Sequence, residues 1–246
     1  MSVAAGRRPR RALRITLALA ALAILGALLA AAQDMVAAQR RAMVEEQIRQ
    51  RGIHQPEVLA AMEQVPRHLF VPEGMREQAY RDQALPLGSG RTIYQPYIVA
   101  LMTSLLDLKP SDRVLEIGTG SGYHTAVLSR IAREVYTIEI VDGVASAAKR
   151  RLADLGYRNV QARAGDGYKG WPDKAPFDAI LLTAVPPSIP KPLVDELRVG
   201  GKMVVPVGSG AFQDLMVISK TRDGITKRTV IPVRVSPMTG QAHGGE

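Results

Sequence analysis

The segment Val114-Leu115-Glu116-Ile117-Gly118-Thr119-Gly120-Ser121-Gly122-Tyr123 constrains this chain more than any other stretch. A run suited to a buried strand enters three alternating glycines, and a helical pattern follows from Tyr123. Strand, tight turn and helix in that order leave the helix's first N–H groups facing whatever lies over the turn. The glycines allow positive φ and let backbone approach a ligand closely. Glu139 ends a second predicted strand, 21 positions after Gly118. An acidic residue at about that distance is placed to accept hydrogen bonds from the hydroxyls of a ribose. Together these features predict a nucleoside-bearing cofactor; the alternative is a purely structural turn.

Spacing narrows the choice of cofactor. A dinucleotide fingerprint reads G-x-G-x-x-G, the third glycine giving close helix–strand packing. Here the third glycine comes one position early, at Gly122, and Tyr123 stands where that fingerprint wants glycine. G-x-G-x-G suits a cofactor with no pyrophosphate to cradle, of which S-adenosylmethionine is one, and disfavours a nicotinamide oxidoreductase. Gly118, Thr119, Gly120 and Gly122 are the candidate cofactor residues of the turn. Gly165-Asp166-Gly167 follows the strand-like run Asn159–Arg163, so Asp166 and Gly167 are further candidate cofactor residues, with Asp166 placed to take an adenine amino group and a turn aspartate as the alternative. Glu116 either braces the glycine turn through backbone N–H groups or touches the cofactor.

The rest of the chain reads as alternating strands and helices. Strands are predicted near Arg113–Ile117, Val135–Glu139, Val160–Arg163 and Phe177–Thr183, and helices near Tyr123–Ile131, Asp142–Leu155 and Lys191–Leu197. That alternation predicts an α/β, doubly wound parallel sheet. Gly200-Gly201 leads into Lys202–Val207. Then Leu215–Lys220, a turn at Asp223-Gly224 and Ile225–Val235 predict antiparallel C-terminal strands. Ahead of the sheet lie N-terminal helices: an amphipathic pattern over Gln39–Arg51, a second from Pro56 to about Val65, and a third opened by Gln95-Pro96 through about Leu106. Ala84–Gly90 reads as loop. His68 and His124 read as packing or solvated residues, Trp171 as a cap on the core, and Asp178 as a strand-start residue.

Composition excludes several chemistries. The 246 residues contain no cysteine, so there is no disulfide framework, thiol nucleophile or zinc–thiolate site. The net charge is +9, but residues 1–32 hold five arginines (Arg7, Arg8, Arg10, Arg11 and Arg14) and no acid, leaving +4 for the remainder. No basic stripe with interleaved aromatics is present, so nucleic acid is not an expected partner.

Ile15–Ala32 is an 18-residue run without charge, following the five arginines. It reads as a signal peptide or short membrane anchor, with possible membrane contact through residues 15–32, so residues 1–34 stand apart from a single domain at 35–246. The positive-inside rule would then export the globular part, whereas the cofactor is a cytoplasmic metabolite. A start at Met35 or Met43 is the third alternative.

Several segments appear together in family order: Val65-Pro66-Arg67-His68-Leu69-Phe70-Val71, Arg91-Thr92-Ile93-Tyr94-Gln95-Pro96-Tyr97, the glycine motif, Gly165-Asp166-Gly167-Tyr168, Phe177-Asp178-Ala179-Ile180, Thr183-Ala184-Val185-Pro186-Pro187, Gly200 through Gly208, and Pro237-Met238-Thr239. From about Met43 to Gly240 the chain resembles the protein-L-isoaspartate O-methyltransferases. The resemblance implies a Rossmann-like class I methyltransferase fold and S-adenosylmethionine as cofactor. It implies methylation of the free α-carboxylate of isoaspartyl residues in damaged proteins and peptides, after which the ester closes to succinimide. It also implies catalytic roles at Tyr94 and Thr92, and substrate contacts at Gln95, Pro96, Val235 and Ser236, with Thr239 touching cofactor or substrate. A monomer is expected. The chain departs from the family at Tyr94, where the family usually has its active-site serine, and at Val235-Ser236. Those departures leave open a same-fold enzyme acting on another carboxylate, or a weakly catalytic cofactor-binding protein.

Overall fold

Val114, Leu115 and Ile117 show no polar alternation, so a strand built from them needs cover on both faces. The computed structural model supplies it; the residues described are 8–88, 91–209 and 211–241. Arg7, Ser89 and Gly90, together with most side chains between Arg8 and Leu22, lie outside that description. Two compact units divide between Ala42 and Met43. The first contains helix α1 (Arg8–Ala42). Among the described residues no helix is long and apolar enough to cross a membrane.

The second unit opens with a π-helical turn at Met43–Ile48 and then α2 (Pro56–Gln64). The expected amphipathic helix over Gln39–Arg51 is therefore three pieces: the end of α1, the π turn, and a 3-10 turn at Arg49–Arg51. Met43, Val44 and Ile48 are the buried residues of the π turn. Next come β1 (Leu85–Gly88) and β2 (Arg91–Ile93), paired antiparallel. The loop expected at Ala84–Gly90 is thus half strand. Pro86 and Gly88 disguise it in the sequence, and both are tolerated because a two-stranded ribbon is all edge.

The remaining elements are α3 (Pro96–Leu106), β3 (Arg113–Ile117), α4 (Tyr123–Ser129), β4 (Glu134–Glu139), α5 (Asp142–Asp154), β5 (Val160–Ala164), β6 (Phe177–Leu182), α6 (Lys191–Glu196), β7 (Leu197–Val207), β8 (Gln213–Thr221) and β9 (Gly224–Val233). They form one seven-stranded sheet in the order β5-β4-β3-β6-β7-β8-β9. The strands from β5 to β7 pair in parallel, and β7-β8 and β8-β9 pair antiparallel. The α/β Rossmann-like expectation with antiparallel C-terminal strands is met. β7 begins five residues earlier than the expected Lys202, because a register irregularity between Phe177 and Ala179 lets Leu197 pair with Phe177 ahead of Gly200-Gly201. β9 ends at Val233, so Val235 lies beyond the sheet.

Leu115, Ile117, Ile138, Phe177, Ile180, Leu182, Met203 and Val205 form the core of this sheet, with Trp171 packed against its edge as expected. Asp178 is structural: it accepts from the Arg113 N–H at 2.8 Å and pairs with Arg198. From β3 the chain winds outward through β4 and β5, then crosses back to β6 on the other side of β3. The carboxyl ends of β3 and β6 are therefore the topological switch point, where doubly wound sheets place their ligands.

Candidate active site

A cavity of about 450 Å³ opens at that switch point. Its floor is the glycine turn. Gly118 sits at φ 96°, and a Cβ there would overlap Thr183 Oγ1. Gly122, at φ 85°, is the residue from which α4 starts. The Gly120 N–H donates to Glu139 Oε2 at 2.9 Å and the Val141 N–H to Glu139 Oε1 at 3.1 Å. Glu139 thus ties the turn to the end of β4 while lining the cavity, and each of its oxygens keeps lone-pair capacity for a further donor. That leaves room for the ribose hydroxyls expected there. Ile138, Ile140 and Val141 continue the apolar wall on this side.

Thr183, at the end of β6, forms the opposite wall. Its hydroxyl bonds to the carbonyls of Gly118 and Ile117 at 2.6 and 3.0 Å, holding β6 to the turn. Its own carbonyl accepts a short hydrogen bond from the phenol of Tyr94, which reaches over from the end of β2. Burial raises the Tyr94 pKa, and the nearby Glu116 raises it further, so the phenol stays protonated. The backbone of Tyr94 is held from behind by the fully buried Arg67, whose Nη2 donates to the Tyr94 carbonyl at 2.6 Å and Nε to the Ala79 carbonyl at 2.7 Å. Ser236, Pro237, Met238 and Thr239 close the rim. They are laid along β6's end by Val185 N–H to Ser236 O (3.0 Å) and Met238 N–H to Val185 O (2.8 Å).

Of the residues singled out in the sequence, Thr92, Tyr94, Gly118, Thr119, Gly120, Glu139, Gly167, Ser236 and Thr239 line this cavity. Gly122 supports it from the helix start. Five others are placed elsewhere. Glu116 is fully buried behind the turn, and its Oε2 accepts from Thr125 at 2.5 Å and Thr137 at 2.7 Å rather than from backbone N–H groups. Thr137 in turn meets Thr119 at 2.6 Å, so Glu116 braces the turn through two hydroxyls and does not face the cofactor space. Asp166 is engaged by the N–H groups of Tyr168 and Gln241, at 3.0 and 2.9 Å. These two bonds form a turn at Asp166, which is not among the residues lining the cavity, while its neighbour Gly167 is. Gln95 is drawn to Asp82 Oδ1 at 2.7 Å. Pro96 is the buried first residue of α3, and the Val235 N–H donates to Gln213 at 3.0 Å.

The sequence reading missed Thr183 and Arg67, quoted only as parts of longer motifs, and it placed His124 as a packing or solvated residue. His124 is buried yet lines the cavity. The Thr103 hydroxyl donates to the Val99 carbonyl at 2.8 Å, which leaves His124 Nε2 as donor to Thr103 at 2.9 Å and Nδ1 as an acceptor with no partner among the described residues. Burial pushes its pKa down to about 3, so the ring is neutral.

The protein-family model for protein-L-isoaspartate(D-aspartate) O-methyltransferase matches residues 38–243. The chain belongs to this family. A protein-L-isoaspartate O-methyltransferase of Synechococcus sp. (strain JA-2-3B'a(2-13)) is 54% identical over 214 residues, covering 84% of this chain and 88% of the relative. Protein-L-isoaspartate O-methyltransferase 1 of Cupriavidus necator is 48% identical over 244 residues, covering 95% of this chain and 94% of the relative. Among solved structures, a protein-L-isoaspartate O-methyltransferase superposes with a TM-score of 0.75 at 27% identity, over 82% of this chain and 67% of that one. A beta-aspartate methyltransferase (PCMT) structure from Plasmodium falciparum, in complex with S-adenosyl-L-homocysteine, superposes with a TM-score of 0.71 at 25% identity, over 81% of this chain and 98% of that one.

Proposed function

We propose that this family member methylates the free α-carboxylate of L-isoaspartyl residues in proteins and peptides, with S-adenosylmethionine as methyl donor. The observation that carries the reading is the cavity itself. A glycine turn with Glu139 on one wall suits a nucleoside, and the Tyr94 phenol on the other, with the hydroxyls of Thr92, Ser236 and Thr239 nearby, suits a carboxylate. When bound, the cofactor supplies a methyl group already activated by a sulfonium, so the attacking carboxylate oxygen needs no general base. The new O–C bond forms as the C–S bond breaks, and two opposite charges are neutralised together. The protein's task is then to hold oxygen and methyl carbon in line, which can supply about 7–11 kcal/mol.

Tyr94 is the candidate donor to the substrate carboxylate. Its phenol is protonated, rigidly backed by Arg67, and parked on a carbonyl at the cavity wall. In this reading a substrate carboxylate takes the hydrogen bond that Thr183 O accepts in the free protein. Thr92, Ser236 and Thr239 face the same space. A purely non-catalytic role for Tyr94 is not favoured, since a phenol with a replaceable backbone acceptor keeps a donor available.

The test is labelled-methyl transfer by the full chain to an isoaspartyl peptide and to its aspartyl twin, beside Tyr94→Phe. Transfer to the first peptide alone is expected, with kcat/KM falling about tenfold in Tyr94→Phe, the worth of one hydrogen bond to a charged group. No transfer to either peptide by protein that binds S-adenosylhomocysteine would refute the reading.

For location, we propose that the arginines and the uncharged run Ile15–Ala32 direct export or anchoring. Finding the full-length protein entirely in the soluble cytoplasmic fraction would exclude both.

A further inference from the structure

Two charged side chains line the cavity among the described residues, Arg91 and Glu139. Both carboxylate oxygens of Glu139 are engaged by backbone N–H groups of the turn. Arg91 has no comparable engagement. It forms no ion pair with any described residue, and the hydrogen bond found for it is a long one, 3.5 Å from Nε to the Gly88 carbonyl. Gly88 is its partner across the β1-β2 ribbon, so the guanidinium group leans toward the ribbon's outer end. Tyr94 lies three residues away at the inner end, about 10 Å along an extended strand. The cation is therefore anchored at the hairpin end of the ribbon, about three extended residues from Tyr94 on the cavity lining.

We propose that Arg91 is a specificity-determining residue that selects isoaspartyl peptides carrying an acidic side chain beside the damaged residue. The inference rests on the isoaspartyl reading above and adds a second carboxylate to the substrate. The chemistry explains why such a cation belongs at the rim. Methyl transfer annihilates the charge of the reacting carboxylate, so a fixed cation touching that group would favour the ground state over the transition state. A cation on a flanking carboxylate is felt equally by both states and aids capture without opposing the chemistry. Arg91 is half-buried, and the one hydrogen bond found for its side chain is the long contact within the β1-β2 ribbon, so removing it leaves the fold intact.

The experiment measures methyl transfer to three isoaspartyl peptides that differ only in having Glu, Gln or Lys at the flanking positions, with wild type, Arg91→Gln and Arg91→Glu. Wild type is expected to prefer Glu over Gln in kcat/KM by about fivefold at low ionic strength, through KM, as for one partly exposed ion pair. The preference falls toward unity in high salt. It disappears in Arg91→Gln and reverses toward the Lys peptide in Arg91→Glu, while kcat and S-adenosylhomocysteine affinity stay as in wild type. An unchanged preference in both variants, with the Gln peptide still methylated, would overturn this inference alone. A loss of S-adenosylhomocysteine affinity would overturn it by assigning Arg91 to the cofactor. No transfer to any of the peptides would refute the isoaspartyl reading, and this inference with it.

Discussion

Replacing Glu116 with glutamine is expected to stabilise the protein at pH 8 while changing little at pH 4. The carboxyl is fully buried, its Oε2 is saturated by the hydroxyls of Thr125 and Thr137, and its Oε1 has no partner among the described residues. Burial pushes its pKa up to about 7 from an ordinary 4.5, against the two hydroxyls that favour the charged form and with Glu139 adding repulsion. The native protein therefore binds this proton more tightly than the unfolded chain does. Stability from this group is complete below pH 4.5, falls as pH rises through that window, and is fully lost above 7. At about 1.4 kcal/mol per pH unit, the span from 4.5 to about 7 amounts to about 3 kcal/mol. Glutamine reproduces the neutral acid: its carbonyl takes the place of Oε2 and its amide that of Oε1, with no charge to bury. Urea unfolding of wild type and Glu116→Gln, followed by circular dichroism at pH 4 and pH 8, measures the difference directly. The variant should gain about 3 kcal/mol on wild type between the two pH values. If Glu116→Gln is equally destabilised at both, the carboxylate is ionised and needed in the native state, and the reasoning fails.

Two further outcomes follow from the same geometry. Gly118→Ala places a Cβ against Thr183 Oγ1 at a φ of 96°, so it should weaken S-adenosylhomocysteine binding at least tenfold by calorimetry with the far-ultraviolet spectrum retained; unchanged affinity would mean the turn does not cradle the ligand. His124, held neutral with its pKa near 3, refuses a proton that the unfolded chain accepts below about 6.5. Its contribution is therefore present at neutral pH and lost on acidification, and His124→Gln should make stability between pH 6.5 and 4 less pH-dependent by about one proton. An unaltered slope would show that His124 charges in the native protein.

How much of the site was legible depended on how local the cause was. The glycine turn and Glu139 were readable because both functions are carried by backbone geometry and by one fixed distance along the chain. Glu116 was not. Its choice of Thr125 and Thr137 over backbone N–H groups depends on α4 and β4 packing around β3. Asp166 follows a strand end, as an adenine ligand would, but that the backbone of Gln241, seventy-five residues on, donates to one of its oxygens was not legible. Gln95 sits within a motif of the family but is drawn off by Asp82. In each case a polar side chain had two chemically reasonable partners, and the sequence carries no term that ranks them.

The sequence by itself determined the alternating strands and helices, the parallel sheet with its antiparallel finish, the glycine turn and the class of cofactor. Those follow from periodicity, glycine's access to positive φ, and residue types within a few turns of one another. Only the tertiary structure decided that Tyr94 reaches Thr183 across 89 residues, that Arg67 stands behind it, that the Ser236–Thr239 segment closes the rim, and that Arg91 faces the cavity with no ion-pair partner among the described residues. These are contacts between segments far apart in the chain. Their formation is settled by which surfaces the sheet brings together and by the cost of leaving a buried polar group unpaired.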